Sequence, residues 1–153
     1  IPSGYTAYNL PVTTKTTYGN SIFPNNYIDI YLKVLDADGK PTVGKLIENV
    51  KVLAVKDKNG RHVFENSDEE RTPAVIIFAL PEDMHLLLRE AAYLENVKSI
   101  SAEIIPVPTT ESYSAEPGTI RLASSELKSF IELNTGTINP DEKPPIYDPG
   151  QEQ

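Results

Sequence analysis

An α+β fold dominated by β-structure is predicted by three features of this 153-residue sequence. Short apolar segments of period two recur between Asn, Asp, Gly and Pro turns; one stretch near the middle is apolar on both faces; and only one long segment shows helical spacing. The strands are expected to form a curled or barrel-like mixed sheet, with one amphipathic helix and a short C-terminal helix.

Residues 5–12 alternate, with Thr6, Tyr8, Leu10 and Val12 on one face and Tyr5, Ala7, Asn9 and Pro11 on the other. Pro11 assigns this strand to an edge or an end, because proline has no N–H for a ladder. The polar stretch 13–21 and the turn Pro24-Asn25-Asn26 read as a loop. From 27 to 35, Ile28, Ile30, Leu32 and Val34 point inward and Tyr27, Asp29, Tyr31 and Lys33 outward. Asp36-Ala37-Asp38-Gly39 makes a hairpin turn, after which residues 42–47 and 49–56 read as two strands with a kink at Glu48-Asn49. Asp57-Lys58-Asn59-Gly60 turns the chain again, and residues 61–64 are expected to return as a strand, completing a β-meander before an acidic loop. Residues 74–80, apolar on both faces, predict the most buried strand, placed centrally.

Pro81 suits the first helical position, and Glu82 and Asp83 complement the positive end of a helix. Met84, Leu87, Leu88, Ala91 and Leu94 then recur at helical spacing over about four turns. A strand over 98–105 follows, with Ile100, Ala102 and Ile104 on one face, closed by Pro106-Val107-Pro108. After a polar stretch interrupted at 119–122, residues 125–134 form a short helix with Leu127, Phe130 and Ile131 inward, a Ser cap and Gly136 past its end. Residues 139–153 contain Pro140, Pro144, Pro145 and Pro149, and only Ile146 and Tyr147 as large apolar side chains. Burial there cannot offset the entropy of ordering, so residues 1–138 are expected to form the β-rich domain and 139–153 a Pro-rich acidic flexible tail or linker.

Composition removes several functions. Hydrophobic residues at 39% support a core, and no apolar run reaches the roughly 18 residues of a membrane span. With no Cys there is no disulfide framework, zinc-thiolate site, iron–sulfur cluster or thiol nucleophile. A formal charge of −8, with scattered basic residues, opposes binding to nucleic acid or anionic lipid. The start Ile1-Pro2-Ser3-Gly4, without Met or a signal peptide, reads as a processed product or a piece of a longer protein.

The chemistry-bearing residues do not assemble into a catalytic pattern. His62 and His85 are too few for a zinc site, and no Gly-x-Ser-x-Gly turn accompanies them. Asp36-Ala37-Asp38-Gly39 imitates the opening of a calcium loop, but Gly39 comes too early and Lys45 stands where a bidentate Glu belongs. The acids of the loop 65–70 read as a solvated run, and no glycine-rich phosphate loop exists. No catalytic residue, metal or cofactor is therefore assigned. The candidate interaction surface is Tyr5, Tyr27, Asp29 and Tyr31, because exposed Tyr offers apolar area plus a hydroxyl to proteins or sugars. Cross-strand packing is the competing reading for the same tyrosines.

The opening IPSGYTAYNLPV (1–12), then IFPNNYIDIYLKV (22–34), LIENVKVLAV (46–55) and TPAVIIFALPEDMHLLLREAAYLENVKSISAEI (72–104), resembles the Flp (Tad) pilus assembly proteins called CpaB or RcpC. In that family Ile-Pro-x-Gly-x-x-Ala leads through Pro-Val to a Pro-Gly-Asp-x-Val-Asp-Val step, an Asn-Val-x-Val-Leu-Ala-Val strand, and a strand entering a Pro-Glu helix that ends in another strand. The chain departs at Asn25-Asn26, at Tyr27 where Arg is common, and in its long acidic loop 57–71. The resemblance implies a non-enzymatic accessory of type IVb pilus biogenesis in the cell envelope, outside the cytoplasmic membrane. Its implied partners are an inner-membrane platform and, in outer-membrane organisms, a secretin. It also implies a membrane anchor and a SAF (β-clip) domain preceding Ile1, and through that architecture a second possibility, binding of carbohydrate or cell-wall peptidoglycan.

Overall fold

The computed structural model describes residues 1–36, 38–66, 68–97, 100–109 and 118–136. One sheet holds β1 (Tyr5–Pro11), β2 (Tyr27–Leu35), β3 (Pro41–Lys56), β4 (Val75–Pro81) and β5 (Ser101–Pro108) in the order β1-β4-β3-β2-β5, and the two-residue β6 (Arg121–Leu122) pairs with β3 off that path. Helix α1 (Glu82–Tyr93) runs into a 3-10 turn (Leu94–Asn96), and α2 (Ser125–Asn134) follows β6. The α+β, mostly-β class is as the sequence predicts. Two details of the sheet differ: among the described residues the ladders are all antiparallel, and the path from β1 to β5 stays open instead of closing as a barrel. The tail expected over 139–153 lies outside the described residues.

The alternation of β1 and β2 is carried out in the core. Tyr8, Leu10 and Val12 are buried from β1 and its end, and Ile28, Ile30, Leu32 and Val34 from β2. β3 departs from expectation because the two strands predicted around Glu48-Asn49 are one strand of 16 residues. Its alternation breaks at Leu46-Ile47 and at Ala54-Val55, where consecutive residues are buried, and register shifts against β2 and β4 fall at the same places. These are β-bulges, which add a residue to one strand and bend it. Because β3 pairs with β2, β4 and β6, it takes the central position that the apolar β4 was expected to hold. β4 is interior all the same, flanked by β1 and β3.

Two other expectations are corrected. Residues 61–64 do not return as a strand: they make a single bridge, His62 to Lys56, flanked by hydrogen bonds from the Asp57 N–H to the Arg61 carbonyl (2.9 Å) and from the Val63 N–H to the Val55 carbonyl (2.9 Å). β5 does not stop before its prolines but runs through Pro106 and Pro108, opposite Ile30 and Ile28. Both prolines have the same parity on an edge strand, so both missing N–H groups fall on the side away from β2.

The acids of the loop 65–70 are exposed, as expected of a solvated run, but two of them are also ion-paired. Glu69 bridges Arg61 (3.2 Å) and Arg71 (2.9 Å), Arg71 also reaches Glu65 (3.2 Å), and Arg61 closes on the buried Asp57 (3.0 Å). Arg71 further donates to the His62 carbonyl at 2.7 Å, so two arginines flanking the loop hold Glu65 and Glu69.

Helix α1 starts one residue later than expected, with Pro81 as its N-cap and Glu82 and Asp83 in the first turn. It buries Leu87, Leu88 and Ala91 against the sheet, and Leu94 follows in the 3-10 turn. A polar contact fixes its angle to β1. Arg89 Nε donates to His85 Nε2 (2.9 Å), which places the imidazole proton on Nδ1, facing Thr6 Oγ1 (2.8 Å). The Thr6 hydroxyl then donates to the Leu80 carbonyl (3.0 Å), and Tyr8 packs edge-on to His85 with the Arg89 guanidinium over its ring. In α2, Ser124 caps the Leu127 N–H at 3.1 Å, and Leu127 and Ile131 are buried.

Leu88→Ala should destabilise the domain by about 2–5 kcal/mol in urea unfolding, since the side chain is fully buried. Leu133→Ala, on a residue 85% exposed, should change stability by less than about 0.5 kcal/mol. Burial, then the Arg89 charge, hold the His85 pKa below its ordinary 6.5. The unfolded chain therefore takes up the proton first, so stability is full above pH 6.5 and falls as pH drops through that value. Urea unfolding from pH 7.5 to 5.5 should show this loss, and His85→Gln should flatten it.

Candidate interaction site

The antiparallel registers set one row across the outer face of the sheet: Ala7 of β1 opposite Ala79 of β4, Ala79 opposite Lys51 of β3, and Lys51 opposite Tyr27 of β2. At Ala79 this row leaves a depression between larger neighbours. Its floor includes Ala79 and Lys51, and Pro2, Tyr5, Tyr27 and the segment 118–120 form its walls, enclosing about 310 Å³. Tyr5 and Tyr27 are half-buried, and among the described residues no side chain pairs with the Lys51 ammonium.

The wall formed by 118–120 is held by Asn49. This residue adopts φ 63°, a left-handed conformation that Asn tolerates better than most side chains, and its Nδ2 donates to the Thr119 carbonyl at 3.0 Å. Gly118 packs so closely that an added Cβ would stand 2.7 Å from Asn49 Nδ2, which explains glycine at this point.

Beside the depression lies a chain of four charges. Glu48 and Asn49 together oppose Asp29, which is left without a Cα partner in β3. The Asn49 N–H turns to Asp29 Oδ1 (3.1 Å), and the Lys45 ammonium binds Asp29 Oδ2 (3.2 Å) and Glu48 Oε2 (3.3 Å). Arg121 of β6 completes the chain on the second oxygen of Glu48. The hydrogen bond to Asp29 is the first cause that raises the Lys45 pKa. For Glu48, burial opposes ionisation, but hydrogen bonds from Arg121 and Lys45 outweigh it and hold the carboxyl below its ordinary range.

The structure thus separates the four candidate residues. Tyr5 and Tyr27 share the depression. Tyr31 does not line it; its register partners are Lys45 and Ile105, and it lies near Tyr18. Asp29 lies on the outer face as the alternation requires but is only 6% exposed, because the bulge and Lys45 cover it. Sequence reasoning missed Lys51, Ala79 and the wall 118–120. The kink at Glu48-Asn49 was a usable signal, since Asn tolerates the left-handed backbone that a bulge can need.

The depression presents two tyrosine rings, the Lys51 side chain and the segment 118–120. The imidazole–hydroxyl pair found among the described residues, His85 with Thr6, has its proton on the nitrogen facing the hydroxyl, the opposite of a base that activates a nucleophile. No group of three His, Asp or Glu side chains suited to a metal ion occurs among the described residues. No helix among the described residues is long and apolar enough to cross a membrane.

A family model described as Flp pilus assembly protein RcpC/CpaB matches residues 1–94, from the N-terminus through β4 and α1. The chain belongs to that family, and its membership associates it with pilus assembly at the cell envelope and with the other components of that machinery. The match includes Tyr5, Tyr27 and Asn49 but stops before the wall 118–120. No curated protein and no solved structure matches the chain.

Asp29→Ala should cost about 1–3 kcal/mol, because it leaves the Asn49 N–H and the Lys45 ammonium without their acceptor, and Asp29→Asn should lose less. The two variants are distinguished by urea unfolding. The Glu48 and Glu69 carboxyls are both held below their ordinary 4.5, Glu69 chiefly by hydrogen bonding to Arg71. Their contribution is present above that value and lost as pH falls through the lower folded pKa, so thermal melts should decline on the acid side of about pH 4.5. Arg71→Ala should shrink that decline.

Proposed function

We propose that this chain is a non-enzymatic docking module of the Flp pilus machine, on the extracytoplasmic side of the envelope, and that it takes an extended partner segment along β1. The observation that carries this reading is the parity of β1. The Val12 N–H bonds to the Ala74 carbonyl at 2.9 Å, so in this antiparallel ladder the even residues face β4 and the odd ones face outward. The N–H groups of Ala7 and Asn9 therefore point to the open side, and the donor that Pro11 lacks would have pointed there too. Tyr5 stands at the end of this edge and lines the depression, so a segment that adds a strand can also insert a side chain between Tyr5 and Tyr27.

The partners under this reading are other pilus-assembly proteins: an inner-membrane platform and, where an outer membrane exists, a secretin. Attachment to the membrane is through an anchor beyond this chain, with residues 1–138 as the contact domain and 139–153 as a linker. A second reading, a cell-wall glycan in the depression, is favoured by Tyr5 and Tyr27 lining one depression with Lys51 and Ala79. Isothermal titration with muropeptides should give saturable heat that Tyr27→Ala abolishes, if that reading holds.

The docking reading is tested with prolines of opposite parity. Ala7→Pro and Asn9→Pro remove only outward N–H groups, so they should leave the melting temperature within a few degrees and strongly reduce surface pili in vivo. Leu10→Pro removes an N–H of the β1–β4 ladder and should unfold the domain. Normal piliation with both Ala7→Pro and Asn9→Pro would sink β1-edge docking.

A further inference from the structure

The loop 13–21 holds three consecutive residues in the left-handed region: Tyr18 (φ 57°), Gly19 (φ 70°) and Asn20 (φ 66°). Gly and Asn tolerate this conformation, but a tyrosine there is strained. The loop is built to enforce it. Thr17 N–H bonds to Thr13 O (3.1 Å), Tyr18 N–H to Lys15 O (3.1 Å), Gly19 N–H to Thr14 O (2.9 Å) and Ser21 N–H to Thr17 O (2.8 Å). Thr17, fully buried, accepts at its hydroxyl from the Asn20 N–H (3.2 Å) and donates back to Thr13 O (2.9 Å), while the Ser21 hydroxyl donates to Tyr18 O (2.7 Å).

The side chain thus held is 47% exposed, and no ring stacks on it among the described residues. Strain of this kind persists where the surroundings over-determine it, and it gathers at contact and binding sites. Charge adds an independent observation. Residues 1–28 contain one Lys, Lys15 in this same loop, and no Asp or Glu, so all 22 acids of the protein lie after position 28. Lys15 is exposed and no ion pair engages it among the described residues.

From these observations we propose that Tyr18 is a preorganised anchor of a protein–protein contact, and that Lys15 beside it meets acidic groups on the partner. The partner is a protein surface with an apolar cleft for the ring and carboxylates at its rim. A rigid backbone that already presents an aromatic side chain loses little entropy on binding. The inference rests on the docking reading and adds a second contact to it, distinct from the β1 edge.

The test exploits the sign of the strain. Tyr18→Gly relieves the left-handed backbone, so the purified chain should melt no lower than wild type and up to about 2–4 °C higher. In the chromosomal gene, the same variant and Lys15→Glu should each lower surface pilus number at least tenfold. A photo-crosslinking side chain at position 18 should attach to a pilus-assembly protein in piliated cells, and the adduct should disappear with Lys15→Glu. A lower melting temperature for Tyr18→Gly, which would make the ring a packing element, overturns the proposal. So does wild-type piliation with both variants, or a probe that captures no pilus component. If Ala7→Pro abolishes pili while Tyr18→Gly does not, edge docking stands and the Tyr18 contact falls. Normal pili after removal of the whole domain overturn both.

Discussion

The bulge in β3, from which the wall of the outer-face depression follows, is held by Asp29 accepting the Asn49 N–H. A bulge leaves backbone groups off the ladder, and a buried N–H without a partner is expensive, so a carboxylate from the neighbouring strand holds the irregularity in place. The 16-residue strand pairs with β2 on one edge over 41–51, and on the other edge with β6 at Ile47 and Glu48 and with β4 from Lys51 to Lys56. The bulge turns the Asn49 side chain toward Thr119, which sets one wall of the depression shared by Tyr5 and Tyr27. Lys45, Glu48 and Arg121 extend the same constraint to β6.

Charge is divided unevenly over the fold. The first 28 residues, which supply β1, the left-handed loop and the start of β2, are free of acids. Two clusters of acids and bases farther along the chain serve the fold itself, Asp29–Lys45–Glu48–Arg121 at the bulge and Asp57–Arg61–Glu69–Arg71–Glu65 in the long loop. In the second, Arg71 is only 9% exposed although its partners Glu65 and Glu69 are largely open to solvent. Membership of the RcpC/CpaB family gives these features a setting in pilus assembly.

Much of the fold was legible because burial has a period. Ile28 to Val34 and Leu87 to Leu94 announce a half-buried strand and an amphipathic helix, and the core takes up those same residues. What periodicity could not convey is position within the sheet. β4 reads as the most apolar strand yet is not the central one, because centrality follows from which strands pair and not from how many faces are covered. Pro106 and Pro108 read as a stop, but an edge strand needs only half of its N–H groups for pairing. The acids of the long loop are solvated, as they read, but sequence spacing does not reveal that Arg61 and Arg71 converge on Glu69.

The candidate site divides along the same line. By itself the sequence determined the α+β class, an edge or end position for the strand that carries Pro11, the tyrosines as candidate contact residues and the resemblance to the RcpC/CpaB family, since each follows from local pattern or motif order. Only the tertiary structure decided that Tyr5 and Tyr27 meet while Tyr31 stands apart, that Asp29 is buried under Lys45, and that Tyr18 is held out on a left-handed turn. Those outcomes rest on register shifts and hydrogen bonds between residues up to 70 apart in sequence, and no local pattern records such pairings.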